Sequence, residues 1–264
     1  MPELPEVESA VRRVRGAAAG KSIRRVELFH ASLRRRLSSS HLRSLRGARV
    51  RDVERRGKHQ LFMLDDGRVL HAHFRMTGDW TIDAAADALP RFARAAITFT
   101  DDSRVVLDDP RALSTLDLHP AHAPPELGLG PEPSDPNLTP DFLRSLFAKR
   151  RGPIKPVLLD QRIVAGLGNI YAAEALWHAK LSPLAGASTL SRAQTAALLS
   201  AIRRVIARAT GARYTDSSVS RLAVYDREGK PCRRCRTTIK RITQAGRSTY
   251  FCPKCQPAPR GKRS

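Results

Sequence analysis

Cys232-Arg-Arg-Cys-Arg-Thr-Thr-Ile-Lys-Arg-Ile-Thr-Gln-Ala-Gly-Arg-Ser-Thr-Tyr-Phe-Cys-Pro-Lys-Cys255 holds every cysteine of the chain, as two Cys-x2-Cys pairs. Thiolates at this spacing can close tetrahedrally around one Zn2+, and Thr249-Tyr-Phe-Cys-Pro-Lys-Cys reads as a β-knuckle. A four-sulfur site leaves no open coordination position, so Cys232, Cys235, Cys252 and Cys255 should hold a single structural zinc and catalyse nothing. The cargo of the hairpin is more telling. Arg233, Arg234, Arg236, Lys240, Arg241 and Arg247 lie between Cys232 and Cys252, a density of cations suited to a phosphate backbone.

The whole chain repeats that bias. Its 264 residues carry 47 Lys and Arg against 25 Asp and Glu, a formal charge of +22 and a pI near 11.2. Such an excess names a polyanionic partner without naming a reaction, since ribosomal and membrane-surface proteins are also basic. No stretch reaches the ~18 apolar residues that a transmembrane helix needs. The start, Met1-Pro-Glu-Leu-Pro-Glu-Val-Glu, is acidic where a secretory signal is basic and then apolar. We expect a cytosolic protein with no membrane partner, and in a reducing compartment paired cysteines favour metal over disulfides.

Upstream of the cysteines the pattern divides in two. Val7, Ala10, Val11 and Val14 recur at helical spacing after Pro5 until Gly16, and Glu6 and Glu8 sit in the first turn, where the helix dipole favours anions. Short β-rich runs follow at Ile23 to Phe29, Ala48 to Arg55, Gln60 to Leu64, Val69 to Phe74, Ala95 to Thr100 and Arg104 to Leu107, with turn chemistry at 65 to 67 and 101 to 103. A strand sandwich is predicted. His119 to Pro140 is dense in proline and suits a linker. Helical patterns then occupy Pro140 to Lys149, Pro156 to Gln161, Ile170 to Lys180 and Ser191 to Ala209, with Thr139 and Asn169 as caps. The expected class is α+β. Its parts are an N-terminal helix and β-sandwich over 1–120, a linker over 121–138, a helical domain over 139–222, the zinc hairpin over 223–258 and a basic tail over 259–264.

Pro2 raises a chemical possibility. A small second residue favours removal of the initiator methionine, which would expose a secondary amine able to attack an electrophilic sugar carbon and form an iminium. Glu3 and Glu6 could then act as general acids, and the helix N-terminus would lower the amine pKa. The same residues also make an ordinary helix start.

Three motifs in this order resemble the formamidopyrimidine-DNA glycosylase and endonuclease VIII family, over nearly the whole chain. Met1-Pro-Glu-Leu-Pro-Glu-Val-Glu resembles the start of its formamidopyrimidine branch, Val164-Ala-Gly-Leu-Gly-Asn-Ile-Tyr-Ala-Ala-Glu its helix-two-turn-helix clamp, and the cysteines its terminal zinc finger. The resemblance implies a glycosylase with strand-nicking lyase activity that acts as a monomer on damaged double-stranded DNA, kinking it between two domains and flipping out the lesion. It makes Pro2 the nucleophile at C1′, Glu3 the acid, and Lys58 in Arg55-Arg-Gly-Lys-His a phosphate contact that assists elimination. Arg247 corresponds to the finger arginine on the phosphate flanking the lesion. Met76 corresponds to a wedge in the vacated space, and Arg111 in Asp109-Pro-Arg to the side chain that reads the orphaned base. Asn169 resembles a phosphate ligand that also caps its helix, and His73, Arg150 and Lys155 fall on further backbone-contact positions. Glu6 belongs with the same DNA-facing set.

The chain departs from that pattern at three points. Leu113 stands where a void-filling Phe is usual, Arg75 replaces a glycine before the methionine, and Thr210 to Arg221 is short and lacks the Gly-Gly-Thr-Thr loop that covers 8-oxoguanine. Excision of 8-oxoguanine is therefore expected to be weak, with ring-opened or bulky lesions accepted. The competing class is a non-catalytic damaged-DNA-binding protein. Pure binding would need neither Pro2 nor Glu3. A zinc-ribbon ribosomal or transcription-associated protein would leave the N-terminal motif unused.

Overall fold

Glu3 and Glu6 begin the first helix by capping each other. The Glu3 N–H donates to Glu6 Oε2 at 2.8 Å, and the Glu3 carboxylate answers the Glu6 N–H, so helix α1 (Leu4–Ala18) starts on a closed capping box. Gly16 does not end it, because Ala17 and Ala18 continue the apolar stripe and nothing crowds the glycine. The stripe of Val7, Ala10, Val11, Val14 and Ala18 is buried in the first core. The structure, a computed structural model, describes residues 1–210 and 222–258.

That core lies among two four-stranded antiparallel sheets. One is ordered β1-β6-β7-β5, from β1 (Ile23–Leu28), β5 (Asp79–Ala84), β6 (Ala93–Phe99) and β7 (Ser103–Asp108); the other is β2-β3-β4-β8, from β2 (Val50–Arg56), β3 (His59–Leu64), β4 (Val69–His73) and β8 (Thr115–His119). Phe62, Leu70, Phe74 and Leu116 of the second sheet and its loops meet Trp80, Ile97, Phe99 and Leu107 of the first. Strands β5 and β8 were not among the predicted runs. In both, charged or polar residues alternate with few apolar ones, as in Asp79-Trp-Thr-Ile-Asp, and each lies at the edge of its sheet. Two short helices, α2 (Ala31–Arg34) and α3 (Ser39–Ser44), lie between β1 and β2.

The chain divides into two compact units, Met1–Leu127 and Gly128–Ser264. From Gly130 onward the proline-rich stretch is fastened to the second: Gly130 N donates to Gln161 O at 2.9 Å, and Arg203 grips the carbonyls of Pro133, Asp135 and Leu138. A side chain at Gly130 would strike Arg162 O at 2.2 Å. This unit contains α4 (Pro140–Ala148), α5 (Ile154–Leu158), α6 (Asn169–His178), a 3-10 turn (Ala187–Thr189) and α7 (Arg192–Ala209), followed by the hairpin of β9 (Lys240–Gln244) and β10 (Arg247–Phe251). Thr139 caps α4 as expected, its hydroxyl accepting from Phe142 N at 3.2 Å. Helix α5 starts and ends earlier than the predicted Pro156 to Gln161. Gln161 instead organises the following turns, its amide bonding Leu159 O, Leu167 O and Gly166 N. Among the described residues no helix is long and apolar enough to cross a membrane. The segment on which the shortened loop was read, Thr210 to Arg221, lies outside the described residues after its first residue, as does the basic tail over 259–264.

Candidate active site and nucleic-acid interface

The amino terminus sits at the meeting point of acid and base. Burial holds the Met1 ammonium, one residue ahead of Pro2, below its usual pKa; Glu3 and Glu6 oppose this, while the cations Lys58 and Arg111 reinforce it. Four of the expected residues thus act on one amine. Glu3 is 1% exposed and Lys58 6%, although neither residue type is ordinarily buried. Lys58 occupies the tight connection between β2 and β3, after Gly57 at φ +58°. Arg55, two residues upstream, reaches across to Glu8 of α1 at 2.6 Å and to Gly57 O at 3.2 Å, so this connection is tied to the helix that carries the terminus.

Two loops of the same unit carry the candidate void-filling and base-reading side chains. Met76 and Leu113 are 39% and 42% exposed, far above their ordinary burial, and Arg111 is exposed beside Leu113. Arg75 has φ +55° and Ala112 φ +52°, both in the left-handed region that favours glycine. The first value is one that glycine would adopt without strain. Arg75 N donates to His73 Nδ1 at 2.9 Å, which makes that nitrogen an acceptor. His73 is one of four imidazoles on one sheet: His59 Nδ1 lies 2.7 Å from His71 Nε2, and the His73 and His119 rings follow at centroid distances of 4.7 Å from His59 and 5.5 Å from His71. Burial first, then neighbouring imidazoles and cations, depress His59 and His71 to about 4 and His73 to about 3. All three are neutral at neutral pH.

In the second unit Asn169 is the first residue of α6 and Gly168 is the cap, which corrects the reading of Asn169 as the capping residue. The side chain has other partners: Asn169 Nδ2 donates to Ser248 O at 3.0 Å, and Oδ1 accepts from Lys155 Nζ at 2.6 Å. Lys155 is 1% exposed and also donates to Ser248 O at 3.0 Å and Thr249 Oγ1 at 2.7 Å. The ammonium thus donates to at least three acceptors within the protein. The arrangement suits support of Asn169 and of the strand bearing Arg247 better than direct contact with a phosphate. Arg150 pairs with Asp160 at 3.1 Å. Arg247 itself is exposed at the start of β10, after a two-residue turn whose Ala245 and Gly246 both have positive φ, the form that matches strand twist.

The four cysteines converge. Their Sγ atoms all lie within 4.8 Å of one another, with Cys232–Cys255 at 4.0 Å and Cys235–Cys252 at 3.4 Å. Zn–S bonds of about 2.3 Å in tetrahedral array would put sulfurs ~3.8 Å apart, so the donor set fits zinc. Trp177 of α6 donates its indole N–H to Cys232 Sγ at 3.4 Å, and Arg234 stacks on the same ring at 4.0 Å. The hairpin is thereby packed onto the helix that begins with Asn169.

Family models match almost end to end: the formamidopyrimidine-DNA glycosylase N-terminal domain over 1–116, the H2TH domain of the same enzymes over 129–220, and the zinc finger found in FPG and IleRS over 229–258. The chain belongs to the formamidopyrimidine-DNA glycosylase family. A formamidopyrimidine-DNA glycosylase of Symbiobacterium thermophilum is 39% identical, covering 99% of this chain and 91% of that protein; one of a Chelativorans species is 38% identical, covering 97% and 100%. Among solved structures, Lactococcus lactis formamidopyrimidine-DNA glycosylase bound to DNA with an abasic site superposes with TM-score 0.88 at 29% identity, covering 97% of this chain and 99% of that one. The same enzyme with DNA containing Fapy-dG gives 0.88 at 29% identity, covering 97% and 100%. Within this family frame the cysteines form one structural zinc site, and the α+β architecture with a zinc-finger hairpin is the family's own.

The sequence reading passed over two buried carboxylates that the family motifs contain. Glu174 of α6, 5% exposed, accepts from the N–H groups of Ala223, Val224 and Tyr225 at 2.8, 2.9 and 2.9 Å, and so anchors the chain leading into the finger. Asp109, the second, is fully buried two residues before Arg111. A charged residue inside an otherwise apolar helix, as at Glu174, was the available signal.

Proposed function

We propose that the chain is a bifunctional DNA glycosylase and abasic-site lyase of base excision repair, acting as a monomer on damaged double-stranded DNA. The observation that carries the residue assignment is that Glu3, Glu6, Lys58 and Arg111 all act on one half-buried amino terminus. Removal of Met1 leaves Pro2 as the secondary amine in that environment. Its lone pair attacks C1′ of the flipped nucleotide, the glycosidic bond breaks toward the base, the amine sheds its N–H proton, and the C1′–O4′ bond then opens to give an iminium, with Glu3 supplying a proton at the leaving base or at O4′. The resulting iminium acidifies C2′. Loss of a C2′ proton expels the 3′ phosphate, a second elimination expels the 5′ phosphate, and water releases the amine.

Lys58, at the rim of this environment, steadies a phosphate near the lesion. Met76 and Leu113 enter the vacated space while Arg111 reads the orphaned base. Asn169 and Arg247 hold backbone phosphates, with Lys155 fixing both, and His73, Arg150 and Glu6 complete the DNA-facing set. The zinc shapes the finger and takes no part in the chemistry. The protein works in the cytosol, at the nucleoid. Its units follow the order read from sequence, a catalytic sandwich over 1–120 and a DNA-clamping helical domain over 139–222 ahead of the finger.

Lesion choice rests on the short segment Thr210 to Arg221. Discrimination of 8-oxoguanine from guanine requires several directed hydrogen bonds, and that segment lacks the residues expected to give them. Abasic sites should be cut strongly, ring-opened and helix-distorting lesions excised, and 8-oxoguanine opposite cytosine excised weakly. Single-turnover rates on matched duplexes, with base release scored separately from nicking, test this. A rate on 8-oxoguanine equal to or above that on formamidopyrimidine would overturn the preference.

A further inference from the structure

Asp109 lies beneath both base-reading loops with no exposed surface. Its Oδ2 accepts from Leu113 N and Ser114 N, each at 2.8 Å, and lies 2.8 Å from Ser114 Oγ. Its Oδ1 accepts from Arg111 N at 3.2 Å and from the hydroxyl of Thr77, which comes from the other loop. Ser114 Oγ is also 3.1 Å from Phe74 O, so its single proton serves Asp109 or the first loop. The loops are pressed together here: a Cβ on Gly78 would meet Ser114 Oγ at 2.2 Å and Phe74 Cα at 3.1 Å. The 109 side of the loop is itself pinned by Arg94, which donates to Asp109 O at 2.7 Å and Pro110 O at 3.2 Å.

The donors to this one carboxylate belong to residues adjacent to, or identical with, those bearing the three base-reading side chains. Thr77 follows Met76, and Arg111 and Leu113 donate through their own N–H groups. We infer that Asp109 is the positioning residue that sets Met76, Arg111 and Leu113 in register with one another, so that wedge insertion and opposite-base reading occur as a single event. This rests on the reading of those three side chains as the base-reading set. The charge is needed because a carboxylate alone offers two acceptor oxygens, one for each group of donors. An amide keeps one oxygen and turns an NH2 group toward the other N–H donors. Net hydrogen bonding outweighs burial and keeps the carboxyl below the usual range, so it is ionised across the working pH.

The test compares wild type with Asp109→Asn and Thr77→Val in single-turnover excision of a ring-opened purine placed opposite each of the four bases, with borohydride trapping on a preformed abasic site and thermal melting run in parallel. Asp109→Asn should slow excision by about 10- to 100-fold, the scale of an ångström-level misplacement. It should also compress the ratio between the best and worst opposite base, and reduce trapping less than excision because no base is left to displace. Thr77→Val, which removes one donor and leaves the carboxylate buried, should shift the same ratio in the same direction to a smaller extent. General destabilisation lowers all four rates together and leaves the ratio unchanged. Retention of the wild-type ratio in both variants, or in Thr77→Val alone should Asp109→Asn fail to fold, would overturn the inference. A wild-type protein that neither excises nor traps, or that shows no opposite-base preference, would instead overturn the reading on which the inference rests.

Discussion

Lys155→Met is the sharpest perturbation of the second unit, because it removes an ammonium that three elements share. Methionine fills much of the same volume but cannot donate, leaving Asn169 Oδ1 and Thr249 Oγ1 without their short contacts of 2.6 and 2.7 Å. Ser248 O keeps the donor from Asn169 Nδ2. Hydrogen bonds from a charged donor contribute about 1.5–3 kcal/mol each, so two unreplaced ones are worth roughly 3–6 kcal/mol. Part is returned because a buried charge no longer has to be desolvated, which leaves a net loss of about 2–4 kcal/mol. At about 2–4 °C per kcal/mol the melting temperature of this unit should fall by roughly 4–16 °C. Scanning calorimetry on the zinc-loaded protein reads that shift directly, and abasic-DNA affinity should weaken as Asn169 and the Arg247 strand lose their common anchor. A variant that melts within 1 °C of wild type, by order of magnitude less than one such hydrogen bond is worth, would refute the claim that the network holds these elements together.

Two further outcomes follow from unit 1. His59, His71 and His73 titrate at about 4, 4 and 3 in the folded protein against an ordinary 6.5, so the unfolded chain binds more protons as the pH falls from 6.5 toward 4. Stability should be flat with respect to these groups above about pH 6.5 and decline below it, by several kcal/mol at pH 4.5 after allowance for solvent screening; urea titrations of His71→Phe should show a shallower decline, and an unchanged slope would count against the cluster. Arg75→Gly should relieve about 1–2 kcal/mol of left-handed backbone strain at a cost of ~0.5–1 kcal/mol in chain entropy, a net gain of about 0.5–1 kcal/mol; chemical denaturation showing a loss would refute the strain assignment.

The parts of this account legible in the sequence are those in which a residue type has one dominant use. Paired cysteines at zinc spacing, the stripe Val7, Val11 and Val14, and the cap at Thr139 each correspond to a local rule, and each stands where that rule puts it. Edge strands β5 and β8 escaped because their alternation carries Asp79, Asp83 and Asp117 on the outer side, a pattern that reads as loop. The burial of Lys155 and of Asp109 escaped for another reason. Both look like surface charges until long-range contacts bury them, and spacing along the chain cannot reveal that the acceptors of Lys155 come from residues 169, 248 and 249. Asn169 shows the reverse case, a good capping residue whose amide the fold spends on Ser248 while Gly168 takes the cap.

The central claim is that the amine of Pro2 performs the chemistry. Borohydride added during turnover on abasic DNA reduces an iminium to a stable amine, so protein and DNA should become covalently joined in proportion to turnover. Mass analysis of the digested complex should place the link on the Pro2 peptide of protein lacking Met1, and Pro2→Gly or a retained Met1 should suppress trapping. Equal trapping by a protein whose Pro2 amine is blocked, or a link mapped to a lysine, would contradict the account.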